Sequence, residues 1–258
     1  IKGAGEMATG AASRLFNANI KNIFMMETRS PVSVRRRVSF CEALFDGESV
    51  VEGITARKVT DPARIPFSWQ KNEIPVFADP SWKTIDALHP DVVVDAIIAK
   101  ENLGTTIHEA PLVIGLGPGF IAGSDVHLVI ETNRGHNLGR VISKGSAEPD
   151  TGIPGEICGI TENRVLRASC PGIFKTDLKI GDPVKKGQII AEISKTHIKA
   201  GVDGMIRGLL RDGTKVAPGL KLGDIDPRGD EICIDKISEK ARAIGGAVLE
   251  AILSEFNR

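Results

Sequence analysis

The sequence predicts an α/β Rossmann-like domain followed by a small all-β sandwich module and a C-terminal helix. Three observations lead there. A glycine turn sits between a strand and a helix at the start of the chain. A 32-residue spacing of glycine, valine and isoleucine recurs in the second half. The last twenty residues repeat apolar side chains at helical intervals. The expected boundaries are 1–150 for the nucleotide-binding domain and 151–235 for the β module. Residues 236–258 form a helix that packs on the first domain or on a partner.

Composition narrows the functional classes. The chain has 258 residues, 41% hydrophobic and 26% charged, enough to bury a core without staples. Lys plus Arg and Asp plus Glu both number 33, so the net charge is zero. Aromatics are 4% and Tyr is absent, which argues against nucleic acid as a partner. No apolar run reaches the roughly 18 residues that span a membrane; the best, Val92 to Ala99, is broken by Asp95. No signal peptide is expected. Cys41, Cys158, Cys170 and Cys233 are too far apart for a zinc ribbon. They read as free thiols, and a cytoplasmic location is expected.

The first element is Ile1 and Lys2, the end of a strand. Gly3-x-Gly5-x-x-Ala8 follows, then a helix through Ala18, then an apolar strand from Ile20 to Met26 that ends at Glu27. This order fits a dinucleotide fingerprint, with the acid 19 residues after Ala8. Glycines admit a pyrophosphate to the backbone, and the helix start supplies N–H groups and positive potential. Gly3, Gly5, Glu6 and Ala8 are candidate contacts, and Glu27 is the candidate acceptor from a ribose hydroxyl. A tight turn without ligand is the alternative. Arg35-Arg36-Arg37 falls in a predicted helix, Val34 to Leu44. It is either a solvated face or an anion site beside the acid.

Alternation continues. Val50 to Val59 reads as a strand or irregular pair, Ile74 to Ala78 as a strand, and Ser81 to Leu88 as a short helix. Asp91 to Ile98, Pro111 to Gly115 and Val126 to Glu131 are apolar enough for a buried parallel sheet. Two groups follow those strands. Gly115, Gly117 and Gly119 make an anion nest or a compact crossover turn. Glu131, Asn133, Arg134 and His136 crowd directional polar groups beyond a strand end, where open α/β sheets bind ligands. No catalytic residue and no metal ligand is assigned.

In the second half, Ala168 to Ile193 and Ala200 to Ile225 share one spacing at an offset of 32 residues. Gly181 maps onto Gly213, Val184 onto Val216, and Gly187 onto Gly219, so both copies should share one β topology. The run Ile180 to Ile193 resembles biotinyl and lipoyl carriers, which implies a barrel-sandwich fold. The link Ser194 to Lys199 lacks the Met-Lys-Met or Asp-Lys-Ala tip and is short. A swinging lysine at Lys195 or Lys199 is therefore not expected, and a rigid docking element is. Asp224, Asp226 and Arg228 form a cation site or a salt-bridged turn. Ile237 to Phe256 is the closing helix, with Gly245-Gly246 inside it calling for close packing.

Several longer motifs match one family. These are Gly3 to Gly10, Gly115 to Phe120, Glu131 to His136, Leu138 to Arg140, Gly223 to Arg228 and Lys240 to Gly246. Over essentially its whole length the chain resembles the YqeB family, accessory proteins of selenium-dependent molybdenum hydroxylases. The resemblance implies a role in maturing or inserting the molybdenum cofactor, with the hydroxylase as partner. The implied ligand is of nucleotide type, NAD(P) or a molybdopterin dinucleotide. An NAD(P)-dependent oxidoreductase and a non-catalytic docking scaffold are the alternatives. Without Tyr the chain has no Tyr-x-x-x-Lys pair. Self-association is left open.

Overall fold

The computed structural model describes residues 1–229 and 234–257; Cys233 lies outside them. The chain divides into two compact units. One comprises Ile1–Pro31, Ser39–Thr151 and Ile237–Arg258, the other Val32–Val38 and Gly152–Lys236.

In the first unit the elements run α1 (Glu6–Asn17), β1 (Met25–Glu27), α2 (Ala43–Asp46), β2 (Glu48–Val51), β3 (Ile54–Lys58), α3 (Ile65–Gln70), β4 (Ile74–Ala78), α4 (Lys83–Leu88), β5 (Val92–Asp95), β6 (Leu112–Leu116), β7 (Leu128–Ile130), β8 (Val141–Ile142) and finally α5 (Glu239–Phe256). One sheet has the order β1-β4-β3-β2 and the other β5-β6-β7-β8. Each is parallel inside and closed by an antiparallel edge, β2 on β3 and β8 on β7. Lys2 stands between them, bridged in parallel to Met26 and to Asp95. The β2–β3 hairpin turns at Glu52-Gly53, both with positive φ, the conformation whose twist matches paired strands.

This corrects the α/β Rossmann-like expectation. The sheets are mixed, and the helices are few. No helix follows β5 or β6. Residues 96–111 are held instead by Asn102, whose Oδ1 accepts from the Gly104 and Thr105 amides. Residues 117–127 contain three glycines and Pro118, which a helix does not tolerate. The predicted helix Val34 to Leu44 is also absent. Short 3₁₀ turns at Arg36–Val38 and Phe40–Glu42 replace it. There the Val34 carbonyl accepts from Leu209 N at 2.8 Å, and that tertiary bond takes precedence over local helix formation.

α5 begins at an N-cap, Ser238, whose hydroxyl accepts from Ala241 N. It packs on α1 through small residues. A Cβ on Gly10 would stand 2.6 Å from the Ala241 carbonyl oxygen, and one on Gly245 would stand 2.5 Å from that of Gly10. The close approach accounts for Gly245. Gly246 faces open space.

The second unit holds β9 (Val165–Arg167), β10 (Gly172–Lys175), β11 (Pro183–Val184), β12 (Ile189–Ile193), β13 (Thr196–Lys199), β14 (Gly204–Leu209), β15 (Lys215–Val216) and β16 (Lys221–Asp226). They form two antiparallel sheets, β13-β12-β10-β15 and β11-β14-β16-β9. Exchanging β9–β12 with β13–β16 turns one order into the other, so the repeat is a structural one and its copies share their strands. Phe174, Ile193, Ile206, Leu209, Leu222 and Ile225 fill its core.

The barrel-sandwich expectation is corrected with the rest of the fold class. The second unit is not a self-contained module cut from the C-terminal half. It includes Val32–Val38, with Arg36 Nε donating to the Leu209 carbonyl at 2.7 Å and a Cβ on Gly208 meeting Val34 at 2.6 Å. The link after β12 is a two-residue turn, Ser194-Lys195, both at positive φ, so Lys195 stands exposed at a hairpin apex.

Candidate functional site

The three glycines of the opening turn are there for different reasons. Gly3 has φ +86°, and a Cβ on it would press on the Ala96 carbonyl at 3.1 Å. Gly10 is required by the Ala241 contact. Gly5 is the N-cap of α1 at φ −71°, a value any residue adopts, and nothing lies within 4 Å of its Cβ position. The protein's own packing does not call for glycine there. Ala8 is buried.

Glu27 reaches back to the same turn. Its Oε1 accepts from Ala4 N at 3.1 Å and its Oε2 from Thr28 N at 2.7 Å. Burial pushes its carboxyl above the usual range, against the pull of those two amides. A ribose acceptor was expected; the carboxylate first of all fixes the turn.

At the end of β6 the glycines serve packing. A Cβ on Gly115 would strike the Phe120 ring at 2.5 Å, one on Gly117 would stand 2.6 Å from Thr132 Oγ1, and one on Gly119 would meet the Glu101 backbone at 2.6 Å. Gly117 N is already given to the Ile130 carbonyl. That packing accounts for the three glycines without a ligand. The turn still bears on the site, because residues 96–101 touch both Gly3 and Gly119.

After β7, Glu131 is 2% exposed. Its Oε1 accepts from Asn133 N and its Oε2 from Glu148 N, each at 2.7 Å, so it clamps its loop. Asn133 and Asn137 donate side-chain amides to Glu148 and hold that carboxyl below the usual range. Arg134 pairs with Glu239 at the start of α5, and His136 is exposed.

Lys240, which opens the motif Lys240 to Gly246, carries no site role from sequence alone. It occupies the first turn of α5, within electrostatic reach of Arg134, Glu6, Asp150 and Glu131. Burial lowers its proton affinity, Arg134 lowers it further, and the three acids oppose them. Lys240 thus marks where α1, the loop after β7 and α5 converge. A signal was present in the sequence: a lysine just behind a Ser-Glu helix start faces the positive end of the helix dipole.

Other sequence candidates are spent elsewhere. Arg35 donates to the Lys236 carbonyl, Arg36 to that of Leu209, and Arg37 pairs with Asp235. Arg228 forks onto both oxygens of Asp226, the salt-bridged turn. Among the described residues no group of three or more His, Cys, Asp or Glu side chains is placed to hold a metal ion.

Over 253 residues the chain is 51% identical to the uncharacterized protein YqeB of Escherichia coli (strain K12), matching 98% of this chain and 47% of that protein. The chain is similar to YqeB along nearly all of its own length. It spans about half the length of YqeB. No family model matches the chain. Among solved structures, the product-bound ectoine utilization protein EutE (DoeB) of Ruegeria pomeroyi is 17% identical at TM-score 0.24, over 33% of this chain and 27% of that one. A succinylglutamate desuccinylase from Silicibacter sp. TM1040 is 14% identical at TM-score 0.23, over 57% of this chain and 50% of that one. Both likenesses are partial. Among the described residues, no helix is long and apolar enough to cross a membrane.

Proposed function

We propose that this chain binds a phosphate-bearing, nucleotide-type ligand at the Gly3–Gly10 turn. We propose further that it serves there as an accessory protein, handing a pterin dinucleotide cofactor to a selenium-dependent molybdenum hydroxylase. The observation that carries the binding is Gly5. It is a glycine at a helix start with ordinary φ, and the space its side chain would fill is open. A phosphate can use that space, meeting the first-turn amides of α1 and the positive end of its dipole. In this reading Gly5 and the Glu6–Ala8 backbone hold the pyrophosphate of a dinucleotide, and Glu27 fixes the turn. The hydroxylase role rests on the motifs shared with the YqeB family, and the cofactor is cargo in it.

Thermal shift with ADP, CDP, GDP, NAD and NADP tests the binding. A ligand at a hundredfold excess over Kd stabilises by about 2.7 kcal/mol. Stabilisation by a nucleoside diphosphate that disappears in Gly5→Val, while the variant melts normally without ligand, is the expected result. Response to NAD or NADP alone would favour an oxidoreductase. No response to any of the five would overturn the reading.

A further inference from the structure

Lys240, in the first turn of α5, and Glu6, which opens α1, lie within electrostatic reach of each other where the two helices pack, and among the described residues neither Lys240 Nζ nor Glu6 Oε1 has a hydrogen-bond partner. We propose that Lys240 receives the anionic end of the ligand and that Glu6 accepts a hydrogen bond from a donor on the same molecule. This deepens the proposed function and rests on it.

Four charged groups bear on Lys240 from the elements around it: Arg134, Glu6, Asp150 and Glu131. Arg134 is paired with Glu239, the residue before Lys240. Asp150 is paired with Lys100 at 2.7 Å. Glu131 gives its two oxygens to backbone amides. Among the described residues Lys240 itself makes no hydrogen bond or ion pair. Glu6 Oε1 is buried and has no hydrogen-bond partner. A buried carboxylate oxygen without a donor is costly, and so is a cation in the first turn of a helix. Lys240 also sits partly out of water beside a second cation, which lowers its proton affinity. Each cost is relieved by one ligand bearing a phosphate and, a few atoms away, a hydroxyl or amine. That is the chemistry of a nucleoside phosphate. A solvated lysine with no ligand is the plain alternative, and it predicts indifference to phosphate.

Two measurements on the full chain separate these. Titration calorimetry with inorganic pyrophosphate and with ADP is run on the native protein, Lys240→Gln, Lys240→Arg and Gly5→Val. Lys240→Gln should weaken both ligands at least tenfold without lowering the unliganded melting temperature, and Lys240→Arg should retain most of the affinity. Glu6→Gln should weaken ADP and leave pyrophosphate unchanged. Native affinity should fall as pH rises through the lowered lysine pKa, and the Lys240→Gln profile should be flat there. Acylation of lysines followed by peptide mass spectrometry should show Lys240 protected by pyrophosphate. If pyrophosphate binds the native protein and Lys240→Gln equally, and Gly5→Val alone abolishes it, the lysine assignment falls and the turn reading stands. If the native protein binds neither ligand, the lysine assignment falls, and the turn reading falls with it only if CDP, GDP, NAD and NADP also fail to bind.

Discussion

Glu27 does at residue scale what the glycine turn cannot do for itself. Gly3 and Gly5 leave the backbone free to open, and the carboxylate ties Ala4 N to Thr28 N across α1 and β1. Glu27→Ala leaves both amides without that acceptor and is expected to cost about 1–3 kcal/mol in urea unfolding. The acid also carries a pH signature. Its folded pKa is raised above 4.5 by burial, so the folded state holds the proton more tightly than the unfolded one. Its contribution is full below 4.5 and declines as pH rises through the raised value. Native protein should therefore lose stability relative to Glu27→Gln across that window, and melts between pH 4 and 8 check this.

Asp224 gives the opposite sign. Burial works against its charge, yet Lys221, Arg207 and Arg35 hold its carboxyl below the usual range. The stability it supplies is present above 3.8 and is lost as pH falls through the lowered value. The Lys221 pair, at 2.6 Å, has an acid side chain only 3% exposed. Asp224→Ala strands the cations around it and is expected to destabilise the protein by about 3 kcal/mol, less the share that solvent screens from Lys221. Urea unfolding at pH 7 measures it.

At the scale of elements, the adjacent glycines of α5 provide a matched control. Gly245→Ala pushes a Cβ to 2.5 Å from the Gly10 carbonyl oxygen and should cost about 1–3 kcal/mol or more by overpacking. Gly246→Ala meets nothing within 4 Å and should gain up to about 1 kcal/mol of helix propensity. Thermal unfolding of the pair reads the difference directly. The sequence anticipated this helix, because seven apolar residues at helical spacing leave little choice. It also anticipated the glycine start, since Gly3, Gly5 and Glu27 carry their pattern in local order. It did not foresee the loops that follow β5 and β6, one held by the local bonds of Asn102 and the other by the packing of Gly117 on Thr132 and of Gly119 on Glu101. It left Gly115, Gly117 and Gly119 between an anion nest and a compact turn, because a glycine packed on Phe120, Thr132 or Glu101 looks no different in one dimension. Only the helix-start position of Lys240 was legible in sequence; its charged neighbours come from three separate stretches of chain, around residue 6, residues 131–134 and residue 150.

At the scale of the whole molecule, the repeat makes its own test. Gly172 and Gly204 are equivalent by the offset, and a Cβ on either would stand 2.3 Å from an oxygen. At Gly172 that oxygen is the Ser194 hydroxyl, which can turn away; at Gly204 it is the Asp226 backbone carbonyl, which cannot. Gly204→Ala should therefore cost more than Gly172→Ala, about 3 against about 1 kcal/mol, in denaturant titrations followed by a probe in the second unit.

The exchange of strands between the two copies also bears on how such a unit came to exist. β15 completes the sheet of β10 and β12, and β11 completes that of β14 and β16. A single copy of about 32 residues therefore has no finished sheet and no second face to bury its apolar one. An ancestor with one copy could have owned this core only as a two-chain assembly, each chain lending its short strand to the other about a twofold axis. Fusing duplicated genes would then have replaced a concentration-dependent association with the two-residue turn at Ser194-Lys195, and the tether between former subunits is now the tightest connection in the unit.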